Sequence, residues 1–427
     1  MKNMKRIAAL LLALVMAFSL VACGGNKSTA NDEIVYDENG NPDLSGKTLK
    51  IGLVSSLADN TGRLHQEVIN LFIEKWNTEG TLYGANVELV AYDNMNNGAQ
   101  DTEMSIKSVQ KLVSSDKVQV IIPGQLSNII QSVGDIINGS KTLGIGLGLS
   151  ATWMEQGWEY MYRPALNNNY QVPSVTATMK SLNQQNIALL YENTDNCLTF
   201  RDSLKAAADA DGISIVCDEM LAIGAGGSAS AGGTGLTGQI TSAINSNPDA
   251  IFVTAMGGNF GTVIKQLRQS GYKGMIYIGQ ILVTSEVDSI GDEEVNGVVM
   301  CSPYVSYENY EDCTNDYVKS CLKAFYDKYG YCPTDDQFYK MWDAMLLIEN
   351  AVLAAKSIDA EAMQAAISTL VIDGTAGTMD FTTGSNECYF GARAWVYSGQ
   401  GAAGAPMVLE DWLETDLADK VVITNQK

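Results

Sequence analysis

Residues 49–54, 87–92, 118–122 and 142–147 are short apolar runs of strand length, and each of the first three is followed by apolar residues at helical spacing. Behind the first run, Leu64, Val68, Leu71, Phe72 and Trp76 recur at intervals that set all five on one face of a helix. Ile106, Val109, Leu112 and Val113 do the same after the second. Strictly alternating strands and helices admit few folds, because parallel strands need crossover helices that cover both faces of the sheet. The pattern then starts again. Residues 187–191, 213–217, 250–253 and 275–278 read as strands, and the helix at 259–270 turns Phe260, Val263, Ile264 and Leu267 inward. Helices follow at 310–329, 337–355 and 359–370, and strands return at 378–381 and 394–397. The expected fold class is therefore α/β, with two doubly wound parallel-sheet lobes.

The chain opens with Lys2, Lys5 and Arg6 ahead of an uncharged run at 7–22, shorter than the roughly 20 residues plus margin that a spanning helix uses. Leu20-Val21-Ala22-Cys23-Gly24 closes it and resembles a bacterial lipobox, so residues 1–22 are expected to be a leader and Cys23 the lipid-bearing residue. Residues 23–47, polar and without periodicity, read as a flexible tether. With 27 basic residues against 49 acidic ones, the surface repels nucleic acid and anionic lipid. The seven cysteines after Cys23 form no Cys-x-x-Cys pair, and His65 is the single histidine. Zinc sites of the His/Cys kind and histidine-dependent triads thus have little to be built from, and no cofactor motif is present. The glycine-rich stretch at 224–238 has no Gly-Lys-Ser/Thr to close a phosphate cradle and reads as a surface loop.

Chemistry is expected where strands end. In an open parallel sheet, ligands sit outside the carboxyl ends of the strands. Ser127 and Asn128 stand between a strand and a helix, where free N–H groups suit a carboxylate, although Ser127 is equally placed to cap its own helix. Gly148-Leu149-Ser150 closes the next strand, so Leu149 and Ser150 converge on the same point. Arg63 and His65, with Asp59, lie in the first strand-to-helix loop, and Arg63 has the fork to meet a carboxylate. Asn196, Gly257 and Gln280 end strands of the second lobe and would face the first. No nucleophile elbow or paired-carboxylate arrangement points to an enzyme.

Longer motifs carry a resemblance. Leu49-Lys50-Ile51-Gly52, Trp76-Asn77-Thr78-Glu79-Gly80, Tyr160-Met161-Tyr162-Arg163, Phe325-Tyr326-Asp327-Lys328-Tyr329-Gly330 and Trp342-Asp343-Ala344, in this order, resemble the type I periplasmic binding proteins. Within these the likeness is to the branched-chain and hydrophobic amino-acid receptors of ABC importers. The resemblance implies three crossings, near 163–167, 301–304 and 370–374. It divides the chain into a first lobe of 48–165 with 303–371 and a second of 166–302 with 372–427. It also implies a ligand carboxylate held at Ser127, Leu149 and Ser150. The expected partners are a small-molecule ligand, ABC permease subunits and the membrane through the lipid, with the protein itself a monomer. A sensor subunit reporting to a membrane receptor and an exported hydrolase are the alternatives. Three positions depart from the family: Gln280-Ile281-Leu282 replaces an acid that takes the ammonium, Asn196-Cys197 replaces a Tyr-Gly, and Leu64 replaces an aromatic.

Overall fold

The computed structural model describes residues 34–96, 99–221, 236–256, 259–399 and 406–424. The leader, Cys23, residues 224–235 and Gly257 lie outside the described residues. Just after the described chain begins, the expected tether is already docked. Asp37 accepts the N–H groups of Asn39 and Asn41, Leu44 donates its N–H to Tyr83 at 2.8 Å, and Leu44 is buried in the first lobe's core. Burying that leucine contributes about 2 kcal/mol, enough to draw a polar segment onto the lobe. The sequence missed it because one buried residue makes no periodicity.

The first sheet is built from β1 (Thr48–Ser55), β2 (Asn86–Asp93), β5 (Val120–Ile122), β6 (Leu143–Ile145) and β7 (Met161–Tyr162), with a small pair, β3 (Met95–Asn96) and β4 (Ala99–Gln100), beside it. Its order is β2-β1-β5-β6-β7, every pairing parallel. Helices α1 (Asn60–Glu79), α2 (Thr102–Lys111) and α3 (Ser127–Gly139) connect the strands. Asp59 starts α1 by accepting the Gly62 N–H at 2.8 Å, and Gly80 ends it in the left-handed region. The buried face of α1 is Leu64, Val68, Ile69, Phe72 and Trp76, joined by His65, while Leu71 is only partly covered.

The second sheet repeats the plan with β8 (Asn186–Tyr191), β9 (Ser214–Met220), β10 (Ala250–Thr254), β11 (Met275–Ile278) and β12 (Val298–Ser302). Here α4 (Asn168–Ser181), α5 (Asp195–Asp211), α6 (Thr237–Asn245), α7 (Asn259–Gln269), α8 (Thr284–Ile290) and α9 (Asp292–Val295) intervene. In both sheets the order reverses next to the first strand, between β1 and β5 and between β8 and β10. Such reversals open a crevice at the strand ends.

After β12 the chain returns to the first lobe as α10 (Asp316–Tyr329), α11 (Gln337–Ala355), α12 (Ala360–Ile367) and the hairpin β13 (Val371–Asp373) and β14 (Thr378–Asp380). It ends with β15 (Arg393–Tyr397) and β16 (Pro406–Val408), which extend the second sheet antiparallel beyond β12. The first crossing lies between Leu166, in the first lobe's core, and Val172, in the second's; the second lies between Met300 and Tyr304. The third falls later than the resemblance implies. Ile372, Met379, Phe381, Cys388 and Phe390 still pack in the first core, so the passage comes between Phe390 and β15 rather than at 370–374. Asp343 on α11 causes the delay: buried, it accepts the Thr375 N–H at 2.7 Å and hydroxyl at 2.9 Å and pins the hairpin to the first lobe.

Candidate functional site

Two turns at neighbouring strand ends form the centre of the site. After β5 the chain bends through Gly124, whose φ of +82° and closeness to the Val54 carbonyl leave no room for a side chain. Leu126, not Ser127, occupies the cap position of α3, and no side chain caps that helix. Ser127 is free to act elsewhere: its Oγ accepts the Ser150 N–H at 3.2 Å. Because that bond uses a lone pair, the Ser127 O–H remains available as a donor. Ser150 is fully buried, and its hydroxyl lies 2.9 Å from Thr152 Oγ1 and 3.1 Å from Thr199 Oγ1 on α5 of the opposite lobe. Thr152 donates to the Asp195 carboxylate, at 3.2 Å to the nearer oxygen. The Leu149 carbonyl accepts the Asn168 N–H at 3.0 Å, a further link from the turn to the second lobe.

A cavity of about 10 Å³ separates the lobes beside these turns. That is room for about one water, so the lobes are closed on each other. Leu149, Leu166, Tyr304 and Asp336 line it from the first lobe, and Gln171, Gln280, Ile281, Met300 and Ser302 from the second. Gln171 is committed to structure, since its Nε2 donates to the carbonyls of Gly279 at 3.2 Å and Cys301 at 2.5 Å. Asp336 is the residue that sequence reasoning overlooked. It pairs with the buried Lys340 at 2.7 Å and accepts from Gln337 Nε2 at 3.0 Å. The only signal was Asp335-Asp336 directly ahead of α11, which is also an ordinary helix start. A second unassigned acid, Glu286, follows Gln280-Ile281-Leu282 on α8. It accepts the Val283 N–H at 3.1 Å, its other oxygen has no partner, and burial pushes its carboxyl up to about 8.

The remaining candidates divide. His65 is buried rather than at a mouth: its ring nitrogens lie 3.0 Å from Ser55 Oγ and 3.4 Å from Gln337 Oε1, and burial lowers it to about 4, leaving it neutral. Arg63 is exposed and donates to Asn60 Oδ1 at 3.2 Å, within the first turn of α1. Leu64 belongs to the first lobe's core, and Asn128 is exposed on α3. Asn196 is buried but not at the cavity; its Oδ1 and carbonyl accept from Asn168 Nδ2 at 2.9 and 3.0 Å. Ser127, Leu149 and Ser150 are brought together, Leu149 alone of the three lines the cavity with Gln280, and Gly257 lies outside the described residues.

Two doubly wound lobes joined by three crossings, with a closed cleft at the strand ends, define a type I periplasmic binding protein fold. The chain belongs to the periplasmic binding protein family, whose model matches residues 48–399. Among solved structures it is similar to the leucine binding protein LivK from Thermotoga maritima, at 19% identity and a TM-score of 0.69 over 84% of this chain and 97% of that one. It is also similar to the branched-chain amino acid transporter substrate binding protein LivJ from Streptococcus pneumoniae in complex with isoleucine, at 18% and 0.69 over 85% and 99%. A solute binding protein of an ABC transporter from Rhodopseudomonas palustris, in complex with 3,4-dihydroxy benzoic acid, matches at 18% and 0.69 over 82% and 93%.

Proposed function

We propose that this chain is the solute receptor of an ABC importer, held at the extracytoplasmic face of the membrane by lipid on Cys23. Its solute is an amino acid or a related small carboxylate or polar molecule. One observation carries the reading: Ser127 and Ser150, at adjacent strand ends, are bonded to each other, and Ser150 reaches Thr199 of the opposite lobe. A carboxylate seated there takes the Ser127 O–H and free N–H groups at the start of α3. Because such a solute touches both lobes, it favours the closed arrangement over an open one, and permease subunits recognise the difference. Asp336 supplies an acid on the first lobe, in place of the one missing after Gly279, for N–H donors such as an α-ammonium. Isoleucine and 3,4-dihydroxy benzoic acid, bound by two similar proteins, both carry a carboxyl group, which supports the same class.

The protein acts as a monomeric receptor and not as an enzyme. His65 is neutral in its buried position, and burial pushes Cys197 up to about 11 and Cys301, Cys321, Cys332 and Cys388 up to about 12, so none supplies a thiolate. Among the described residues no helix is long and apolar enough to cross a membrane.

A thermal-shift panel of amino acids, aromatic acids and small amides, followed by calorimetry, tests the proposal. A saturable, one-to-one ligand raises the melting temperature, whereas accumulation of a product beyond one equivalent would sink it. In the same assay Ser127→Ala is expected to lose one bond to a charged group, about 1.5–3 kcal/mol, or roughly ten- to a hundredfold in affinity. Unchanged affinity would mean that Ser127 serves only to hold Ser150.

A further inference from the structure

The hinge contains a buried ion pair that the proposed solute contacts do not use. Arg163, where the chain leaves β7, is fully buried. Its Nη1 donates to the Gly148 carbonyl at 3.1 Å and the Ser150 carbonyl at 2.5 Å. Nε donates to Glu387 Oε2 at 3.1 Å, and Nη2 donates to the same oxygen. The guanidinium lies 4.8 Å over the Trp153 ring, whose Nε1 also donates to the Gly148 carbonyl. Alongside, the Arg163 N–H donates to the Asn386 carbonyl at 2.9 Å, joining the segment just ahead of the first crossing to the segment just ahead of the third. Glu387 then reaches the first crossing: it accepts from Asn167 Nδ2 at 2.8 Å and Tyr170 Oη at 3.2 Å, at the start of α4.

Stability alone is a weak reason for such a pair, since the cost of desolvating two charges commonly matches their attraction. The geometry has a clearer use. A guanidinium is a planar fork that can hold two carbonyls on one side and a carboxylate on the other, which an ammonium cannot.

We infer that Arg163 is a positioning residue for solute binding: it fixes the Gly148–Ser150 turn through two carbonyls and ties it, through Glu387, to the first helix of the second lobe. The inference rests on Ser127 and Ser150 being solute contacts. The carbonyls it holds belong to the turn whose Ser150 N–H meets Ser127 and whose Leu149 carbonyl takes the N–H of Asn168. Moving Arg163 therefore moves both the aim of Ser150 and the approach of the second lobe.

Arg163→Lys keeps the charge and removes the fork. In the full-length protein, amide hydrogen exchange at 148–150 is expected to speed up roughly tenfold, with exchange in β1 unchanged. Glu387→Gln should act in the same direction, because it frees the guanidinium from its carboxylate. With L-isoleucine and 3,4-dihydroxybenzoate as probes, Arg163→Lys and Ser150→Ala should be non-additive by about threefold or more in affinity. Exchange at the turn that stays at the wild-type rate, or that rises equally throughout the protein, overturns the role given to Arg163. If Ser150→Ala binds a probe as tightly as wild type, the solute-contact reading fails instead, and the exchange rates still decide whether Arg163 holds the turn.

Discussion

The protein is expected to melt at a higher temperature at about pH 5.5 than at about pH 8.5, with a gain on the order of 3 kcal/mol in stability. Burial pushes Glu286 up to about 8 and Asp343 up to about 7, the latter despite the hydrogen bonds from Thr375 that pull it down. Asp335 rises to about 6, from burial first and the charge of Asp336 second, but it keeps contact with solvent and adds less. In the unfolded chain these carboxyls titrate near 4. Between those values the folded state binds more protons than the unfolded one. Their stabilisation is therefore fully present below the unfolded pKa and is lost as pH rises through 6 to 8. His65 works the other way. Lowered to about 4 by burial, it contributes above its unfolded value and loses that contribution as pH falls. One histidine against two deeply buried acids leaves the balance with the acids. Relief of repulsion in a chain of net charge −22 acts in the same direction, so variants must separate the causes. Glu286→Gln with Asp343→Asn should flatten the pH dependence measured by thermal melting. A melting temperature that climbs steadily from acid to alkaline pH in the wild-type protein contradicts the assignment.

Repetition made the fold legible. Runs of four to six apolar residues, each tied to a helical stripe, leave a parallel sheet little choice, and β8, β10 and β11 stand within a residue of the runs that mark them. The meeting of Ser127 and Ser150 was legible for the same reason, because strand ends of a parallel sheet gather. What escaped depends on contacts that sequence spacing does not encode. Arg63 and Leu64 are adjacent to the right loop, but Asp59 starts α1 early enough that one turns to solvent and the other to the core. Asp336 reaches the cavity from a helix almost 300 residues after β1, a distance across which no local pattern speaks. Leu44 and the late third crossing share that cause, each fixed by tertiary contacts, with Tyr83 and the first core for the one and with Asp343 and the same core for the other.

Gly148→Ala is expected to weaken solute binding by about a hundredfold or more, beyond the loss in Ser127→Ala, while leaving both lobes folded. A Cβ on Gly148 would lie 2.6 Å from Ser127 Oγ, 2.9 Å from Ile130 Cδ1 and 3.1 Å from Ser127 Cα. The Ile130 methyl is the end of a flexible side chain and can give way. Ser127 Cα cannot, because it is the backbone of the first residue of α3 and moves only with that helix. Ser127 must then rotate its hydroxyl away from Ser150, or the whole turn must retreat. Either movement breaks the 3.2 Å bond between them and turns both groups from the solute. Two bonds to a charged group are lost rather than one, which sets the larger effect. The fold should survive, since overpacking at one site costs about 1–3 kcal/mol. Gly148 is also not in the left-handed region, unlike Gly124, where any side chain strains the backbone. Calorimetry on the best binder of the panel, beside the melting temperatures of both variants, measures the difference. If Gly148→Ala binds as well as Ser127→Ala, then Ser150 does not face the solute, and the serine turn after β5 must do the holding alone.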